Sequence, residues 1–234
     1  MGKVFSQKGF TFVELLLAMV IGTIVMGGIY AATLGGHIAS TGIEQKISVQ
    51  EEVRAAIDVM AMEISMASYN PTMTTANLWA STTCGAAGTG TIAYRGIQAA
   101  TPNSITIEMD TNQNGLIGDP NEIVTYTYDT VNQRITRSAN CLLPAPSFIG
   151  DLATAPNVQR NVLVINDQLG INVFTYYDST GTDITANLPA AIPNIRRIEM
   201  TLAVVAINPD MQGQKRQMIH STSVIPRNHA IQFD

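Results

Sequence analysis

The sequence predicts an α+β protein in which one long N-terminal helix precedes a head of antiparallel strands. Two patterns carry this prediction. An apolar run from Phe10 to Leu34 passes into an amphipathic segment of helical period, and the rest of the chain is rich in alternating, β-branched stretches. A helix followed by a succession of strands is the order of an α+β fold.

The apolar run contains a single charged residue, Glu14, and the next acidic or basic residue is Glu44. A transmembrane helix needs about 20 apolar residues, so Phe10–Leu34 is long enough to span a bilayer with some tilt. A lone carboxylate at the centre of such a helix costs roughly 2.5–3.5 kcal/mol on insertion scales. Glu14 lies nearer one end, where the cost is lower, but it still needs a cationic partner.

Residues 1–9 carry Lys3 and Lys8 and end in Gly9. A secretory signal peptide is cut after its apolar segment, whereas here the small residue precedes the apolar segment. Cleavage between Gly9 and Phe10 would create an α-amino group that can pair with Glu14 of the same or a neighbouring chain. Lys3 and Lys8 before the span place the N-terminus in the cytoplasm and predict export of the remainder.

The residues Gly9-Phe10-Thr11 and Val13-Glu14-Leu15-Leu16 resemble the class III signal of type IV pilins and type II secretion pseudopilins. The resemblance implies cleavage by a prepilin peptidase and N-methylation of Phe10. It also implies residence in the bacterial inner membrane with the head in the periplasm. Assembly with other major and minor pilins on an inner-membrane platform would then bring the chain into a filament at the cell surface. The alternative is an ordinary membrane anchor with an accidental Glu.

The segment after Gly42 predicts an amphipathic helix that ends near Tyr69-Asn70-Pro71, because a residue before proline disfavours the α region. Its apolar residues recur mostly three or four apart and should pack under a sheet. The apolar face consists of Ile43, Ile47, Val53, Ile57, Met60, Ile64 and Ala67.

Two stretches at the end of this helix, Glu52–Met60 and Glu63–Pro71, resemble PilW-type minor pilins. That family usually has Arg where Ser65 stands and Gly where Ser68 stands. Weaker matches follow in the head, at Phe174–Asp178, Ile195–Ile198 and Thr222–Asn228.

Eight stretches of the head predict strands by their alternation or β-branched content. They are Thr91–Arg95, Ser104–Met109, Ile123–Asp129, Gln133–Arg137, Val162–Asn166, Asn172–Tyr177, Ile195–Ala206 and Arg216–Ile225. The predicted organisation is a leader (1–9), a membrane or filament-core helix (10–36), an amphipathic half of the same helix (37–70) and a β-rich head (71–234).

The segment from Asp110 to Glu122 begins as a calcium loop does, with Asp-x-Asn-x-Asn-Gly. Alternate oxygen side chains converge in such loops, and calcium takes six to eight oxygens. The EF-hand pattern would place its Glu where Asn121 stands, and strands rather than helices flank the loop, so an EF-hand is excluded. The alternative is a metal-free hairpin with Asn-Gly and Asp-Pro turns. The candidate calcium ligands are Asp110, Asn112, Asn114, the Leu116 carbonyl, Asp119 and Glu122.

Cys84 and Cys141 are the only cysteines, and both fall in the part predicted to be exported. A disulfide can persist there, and one closing a loop of about 57 residues would contribute roughly 4 kcal/mol in the chain-entropy model. The alternative is two free thiols. No Cys-x-x-Cys is present, which argues against a redox enzyme.

The net charge and the lack of catalytic motifs argue against two classes of function, nucleic-acid binding and catalysis. The chain carries −5, and loss of Lys3 and Lys8 leaves 11 basic and 18 acidic residues, or −7. No basic stripe exists for nucleic acid as the main partner. His37, His220 and His229 form no ligand or nucleophile motif, so the sequence predicts a protein that is not an enzyme.

Three functions are compatible with the sequence. The first is a minor pilin that helps initiate, prime or cap a type IV pilus. The second is a minor, GspJ-like pseudopilin of a type II secretion system. The third, from another class, is a membrane-anchored hydrolase or binding protein.

Overall fold

The computed structural model describes residues 9–73, 78–79, 92–151, 162–207 and 215–230. A helix, α1, spans Phe12–Ser65, and strands form most of the regular structure that follows it. This confirms the predicted α+β class. The chain divides into two compact units, Met1–Lys46 and Ile47–Asp234, so α1 begins in the first unit and ends in the second.

The first sheet of the second unit has five strands in sequence order, each antiparallel to the next. They are β1 (Ile97–Thr101), β2 (Ser104–Glu108), β3 (Ile123–Asp129), β4 (Arg134–Ala139) and β5 (Ser147–Ile149). Tight hairpins join β1 to β2 and β3 to β4, and the long loop between β2 and β3 is the predicted calcium loop.

The second sheet is built around its longest strand. Its members are β6 (Val162–Val164), β7 (Phe174–Tyr177), β8 (Arg197–Ala206) and β9 (Gln217–Val224). β6 and β7 pair with opposite ends of β8, and β9 pairs antiparallel along its length. The strand predicted at Ile195–Ala206 is confirmed, and Ile198, Met200, Leu202 and Val204 on one of its faces are fully buried. Ala203 is also buried, because a small second cluster with Leu163 and Ile165 covers it on the other face.

Buried residues from the second half of α1 share one core with those of the two sheets, in line with the predicted packing of this half under a sheet. Val53, Met60 and Ile64 are completely buried. The prediction was wrong for Ile43 and Ile47, which are 59% and 47% exposed. A helical period continues whether or not a sheet lies opposite it, and the core of the second unit covers the helix only from Val49 onward.

One strand prediction was wrong, and two strands were not predicted. The predicted strand at Thr91–Arg95 is absent, since Ile92–Tyr94 forms a 3₁₀ turn, and Thr91 lies outside the described residues. β1 and β5 were not predicted. β1 contains two alanines, which have low strand propensity, and β5 is only three residues long, so neither carries a strong local pattern.

The helix ends at Ser65 and continues as turns to Ser68, slightly before the predicted stop. Ser68 takes a left-handed conformation with φ of 66°, which glycine adopts more readily than other residues. Its N–H donates to the Glu108 carbonyl at 2.9 Å, and its hydroxyl accepts the Gly96 N–H at 3.0 Å. A Cβ on Gly96 would lie 2.3 Å from the Ser68 nitrogen, so only glycine allows β1 to approach the helix end.

Candidate functional site

The start of α1 is closed by a reciprocal capping box between Thr11 and Glu14. The Thr11 N–H donates to Glu14 Oε2 at 3.2 Å, and the Glu14 N–H donates to Thr11 Oγ1 at 3.3 Å. This arrangement satisfies two N–H groups that the first helical turn leaves without intrahelical partners. It also holds the carboxylate at the positive end of the helix dipole, which stabilises the charge.

The capping box was not predicted, although its signal, Thr three residues before Glu at the head of an apolar run, is visible in the sequence. The predicted partner of Glu14 was the amine of a processed Phe10. The ion pairs found within the described residues do not include Glu14. The pairing of Glu14 with the amine of Phe10 stays a prediction.

The apolar run of α1 is exposed among the residues that the structure describes. Its most apolar 18-residue window has a mean hydropathy of 2.2, and none of that window is buried. By length and composition this helix can cross a membrane. Phe10, Phe12 and Met26 are each more than 70% exposed, and large side chains are exposed all round the helix. A Cβ at Gly9 would meet no described atom within 4 Å, and cleavage after Gly9 stays a prediction.

The end of α1 is held to the first sheet by a partly buried charge cluster. Arg137 of β4 donates to both Glu63 carboxylate oxygens, at 3.0 and 2.8 Å, and Tyr126 of β3 donates to Glu63 Oε2 at 2.5 Å. Burial and the hydrogen bond to Glu63 raise the pKa of Tyr126, so the phenol remains a donor. Arg137 also reaches the Asn121 side chain at 3.4 Å, which links this cluster to the loop between β2 and β3.

The two completely buried carboxylates of that loop, Asp110 and Glu122, are satisfied by backbone donors. Asp110 accepts the N–H groups of Asn114 and Gly115 at 3.2 and 2.9 Å. Glu122 accepts those of Thr111, Gly118 and Asp119 at 2.9–3.1 Å. These bonds fold the loop back on itself, so both acids shape it from within.

The remaining candidate ligands lie at the loop's exposed side. The side-chain amides of Asn112 and Asn114 both donate to Asp119 Oδ2, at 2.7 and 2.6 Å, so three polar groups converge there. Leu116 is exposed and its N–H donates to Asn114 Oδ1 at 2.8 Å. No set of three His, Cys, Asp or Glu side chains in the part of the chain that the structure describes is placed to hold a metal ion.

The loop thus separates the six predicted ligands into two groups, with Asp110 and Glu122 inside and the others at the surface. Asp119 supplies the one carboxylate of the surface group. Calcium binding by the six residues stays a prediction.

The structure describes only one of the two cysteines that were predicted to form a disulfide. Cys141 lies in the turn after β4 and is not a free cysteine. Cys84 lies outside the described residues. The pairing of the two therefore stays a prediction.

His229 is buried in the short 3₁₀ turn Arg227–Ala230 that follows β9. Its Nδ1 lies 3.0 Å from Ser68 Oγ, and its Nε2 lies 2.9 Å from the Ile192 carbonyl oxygen. The carbonyl can only accept, so Nε2 carries the proton and Nδ1 accepts from the Ser68 hydroxyl. Burial lowers the pKa of His229 to about 4. Nothing in the sequence marks this position, because its partners come from distant parts of the chain.

The comparisons with known proteins agree with the N-terminal geometry. The family model for the prokaryotic N-terminal methylation motif matches residues 5–30, which include Gly9, Phe10 and Glu14. No curated protein and no solved structure matches the chain. The PilW-type assignment stays a prediction. α1 is long and apolar enough to cross a membrane, and antiparallel sheets follow it. At the start of this helix the chain carries the methylation motif of the type IV pilin and pseudopilin superfamily.

Proposed function

We propose that the protein is a minor pilin, a filament subunit without catalytic activity that helps to initiate, prime or cap a type IV pilus. The observation that carries this proposal is the apolar half of α1, which carries the methylation motif and has none of its most apolar window buried among the described residues. Such a surface needs lipid before assembly and other helices after it.

The proposed mechanism begins in the inner membrane, with the leader in the cytoplasm and the head in the periplasm. A prepilin peptidase cuts after Gly9, and the new amine of Phe10 is methylated. On the assembly platform, Phe10–Leu34 leaves the lipid and packs against major and minor pilins. The amine of a neighbour's Phe10 then pairs with Glu14, which the capping box already holds at the helix start.

A minor pseudopilin of a type II secretion system is the second candidate, because it shares the same motif and helix. The resemblance of Glu52–Met60 and Glu63–Pro71 to PilW-type minor pilins favours the pilus. Deletion of the gene separates the two, since loss of surface pili indicates the first role and loss of protein secretion indicates the second.

A membrane-anchored hydrolase or binding protein is the third candidate. The pair that most resembles a nucleophile and its base in the described head is Ser68 with His229. Ser68 is 2% exposed, and the far nitrogen of His229 donates to a backbone carbonyl instead of a carboxylate. This pair cannot reach a substrate, which supports a structural role for both residues.

The experiment that tests the proposal substitutes Glu14. Glu14→Ala should still be processed, but its recovery in sheared filaments should fall roughly tenfold or more, because a buried amine left unpaired costs several kcal/mol. Glu44→Ala is the matched control, since Glu44 is an exposed acid on the same helix. Wild-type recovery of Glu14→Ala in filaments would overturn the proposed pairing.

A further inference from the structure

Among the strands that the structure describes, the second sheet of the head ends at β9. β6 and β7 occupy one edge of β8, and β9 is the described strand at the other edge. β9 is eight residues long, which is longer than most strands in this fold, and it contains neither a charged residue nor a proline. Edge strands of natural proteins usually carry such residues to prevent pairing with another chain.

The hydrogen-bond register identifies which backbone groups of β9 face outward. The Ala206 N–H donates to the Arg216 carbonyl at 3.0 Å, which makes this a hydrogen-bonded pair of the antiparallel ladder. Such pairs recur every second residue, so the even-numbered residues of β9 bond to β8. Consistently, the Thr201 N–H of β8 donates in the opposite direction, to the Val173 carbonyl at 2.9 Å.

The backbone groups of Gln217, Ile219, Ser221 and Ser223 therefore point away from β8. No hydrogen bond joins their N–H and C=O groups to any other residue that the structure describes. Four donors and four acceptors stand in a row along one edge, spaced as in a ladder. That is the arrangement to which an extended peptide adds as a further strand.

Exposed apolar side chains accompany this edge. Ile219 is 56% exposed and lies opposite the buried Ala203 in the register. Ile225, directly after the strand, is 58% exposed. A strand placed beside β9 would cover Ile219 with its own side chains, which adds apolar burial to the backbone hydrogen bonds.

The charges around the edge restrict its partner. Lys215, Arg216 and Arg227 are all exposed, and residues 215–230 contain no acid. Glu199 of β8, which lies opposite Ser223 in the register, accepts from Tyr177 and Ser221 and pairs with Arg197, so it is already engaged. Two copies of β9 side by side would bring six cations together, which disfavours self-pairing.

We propose that the outer edge of β9 binds an extended acidic segment of a partner polypeptide as an added β-strand. The backbone row provides affinity, Ile219 provides an apolar contact, and the cations at both ends select negative charge. This inference rests on the second sheet and does not depend on the filament role proposed above.

The test uses the full mature chain in detergent micelles and two fluorescent peptides. Both peptides alternate Thr and Val, and they carry Asp or Lys at their ends. The acidic peptide should bind at least about tenfold more tightly than the basic one at low salt, and salt should reduce this difference. Equal binding of the two peptides, or no binding of the acidic one, would overturn the proposal.

Two sets of variants locate the binding at β9. Ile219→Pro removes an outward N–H without touching the β8 ladder, and Ile219→Thr is its control, since it keeps that N–H. The proline variant should lose acidic-peptide binding about tenfold more than the threonine variant. The double variant Lys215→Glu with Arg227→Glu leaves the strand intact and should reverse the preference towards the basic peptide. Unchanged binding in both sets would contradict the assignment.

Hydrogen exchange provides an independent measure that does not depend on any variant. The amides of Ile219 and Ser221 should exchange rapidly in the free protein and slow at least tenfold with saturating acidic peptide, while those of His220 and Thr222 stay slow throughout. Rapid exchange of Ile219 and Ser221 with the peptide bound would contradict strand addition.

Discussion

The two halves of α1 differ in where their apolar residues find cover. In the second half, Val53, Met60 and Ile64 are fully buried against the two sheets. In the first half, Phe12, Ile24 and Met26 are 69–76% exposed, although the residues are just as apolar. One continuous helix, Phe12–Ser65, contains both.

The difference separates two uses of hydrophobic surface. The second half stabilises its own fold, because it loses its contact with water when the head forms. The first half is exposed among the described residues, and in the proposed function a bilayer or neighbouring subunits cover it. Substitutions in the second half should therefore change stability, whereas those in the first should change processing and assembly.

The largest effect is expected at Gly9, outside the folded head. Gly9→Leu should block processing, because the resemblance places the peptidase cut directly after this residue. Since a side chain at Gly9 meets nothing in the structure, the thermal stability of the head should stay unchanged. Gly9→Ala is the milder control, and a gel-mobility shift reports the cut. Normal processing of the leucine variant would place the cleavage elsewhere.

Met60 and Met62 provide a matched pair within the second half. Met60 is fully buried and Met62 is 58% exposed, two residues apart on the same helix. Met60→Ala should lower the free energy of unfolding by about 2–5 kcal/mol, whereas Met62→Ala should change it by less than about 0.5 kcal/mol. Denaturant unfolding measures both. Met26→Ala extends the comparison to the first half, and a loss of head stability there would contradict the division drawn above.

Acid should weaken the head through His229. Burial lowers its folded-state pKa from 6.5 to about 4, so the unfolded chain binds the extra proton first. The contribution of neutral, buried His229 to the free energy of unfolding is fully present above pH 6.5. As the pH falls towards 4, this free energy decreases by roughly 3 kcal/mol in total. His229→Gln should remove this part of the pH dependence of unfolding. An identical slope between pH 6.5 and 4 in the variant would assign the effect to other groups.

The smallest effect concerns the loop between β2 and β3. If calcium binds with a Kd of about 1 mM, a tenfold excess over that Kd should stabilise the head by about 1.4 kcal/mol. Asp119→Asn should abolish the increase, because it removes the ionised group of the exposed cluster. Magnesium at the same concentration is the control. An unchanged unfolding temperature on adding calcium to the wild-type protein would favour the metal-free hairpin.

The local features of this molecule could be predicted well from its sequence. The apolar run, the long helix and β3 have strong periodic signals, and the structure places the helix and β3 where those signals indicate. The prediction failed where contacts with other parts of the chain determine burial or pairing. Ile43 and Ile47 fit the helical period but are exposed among the described residues. β1 is a strand because β2 pairs with it.

The candidate sites divide in the same way. Glu14 could be singled out from its isolation in an apolar run, and the capping box from its spacing. The burial of His229 could not be predicted, since Ser68 and Ile192 meet it only in the folded chain. The open edge of β9 was also invisible, because a strand's pattern does not say how many neighbours it has.

The most direct test of the account is the mass of the N-terminal peptide of the native protein, measured in both membrane and filament fractions. The account predicts a chain that begins at Phe10 with a methylated amine in both fractions. A functional protein that still begins at Met1 would contradict it, because the cation assigned to Glu14 would then never form.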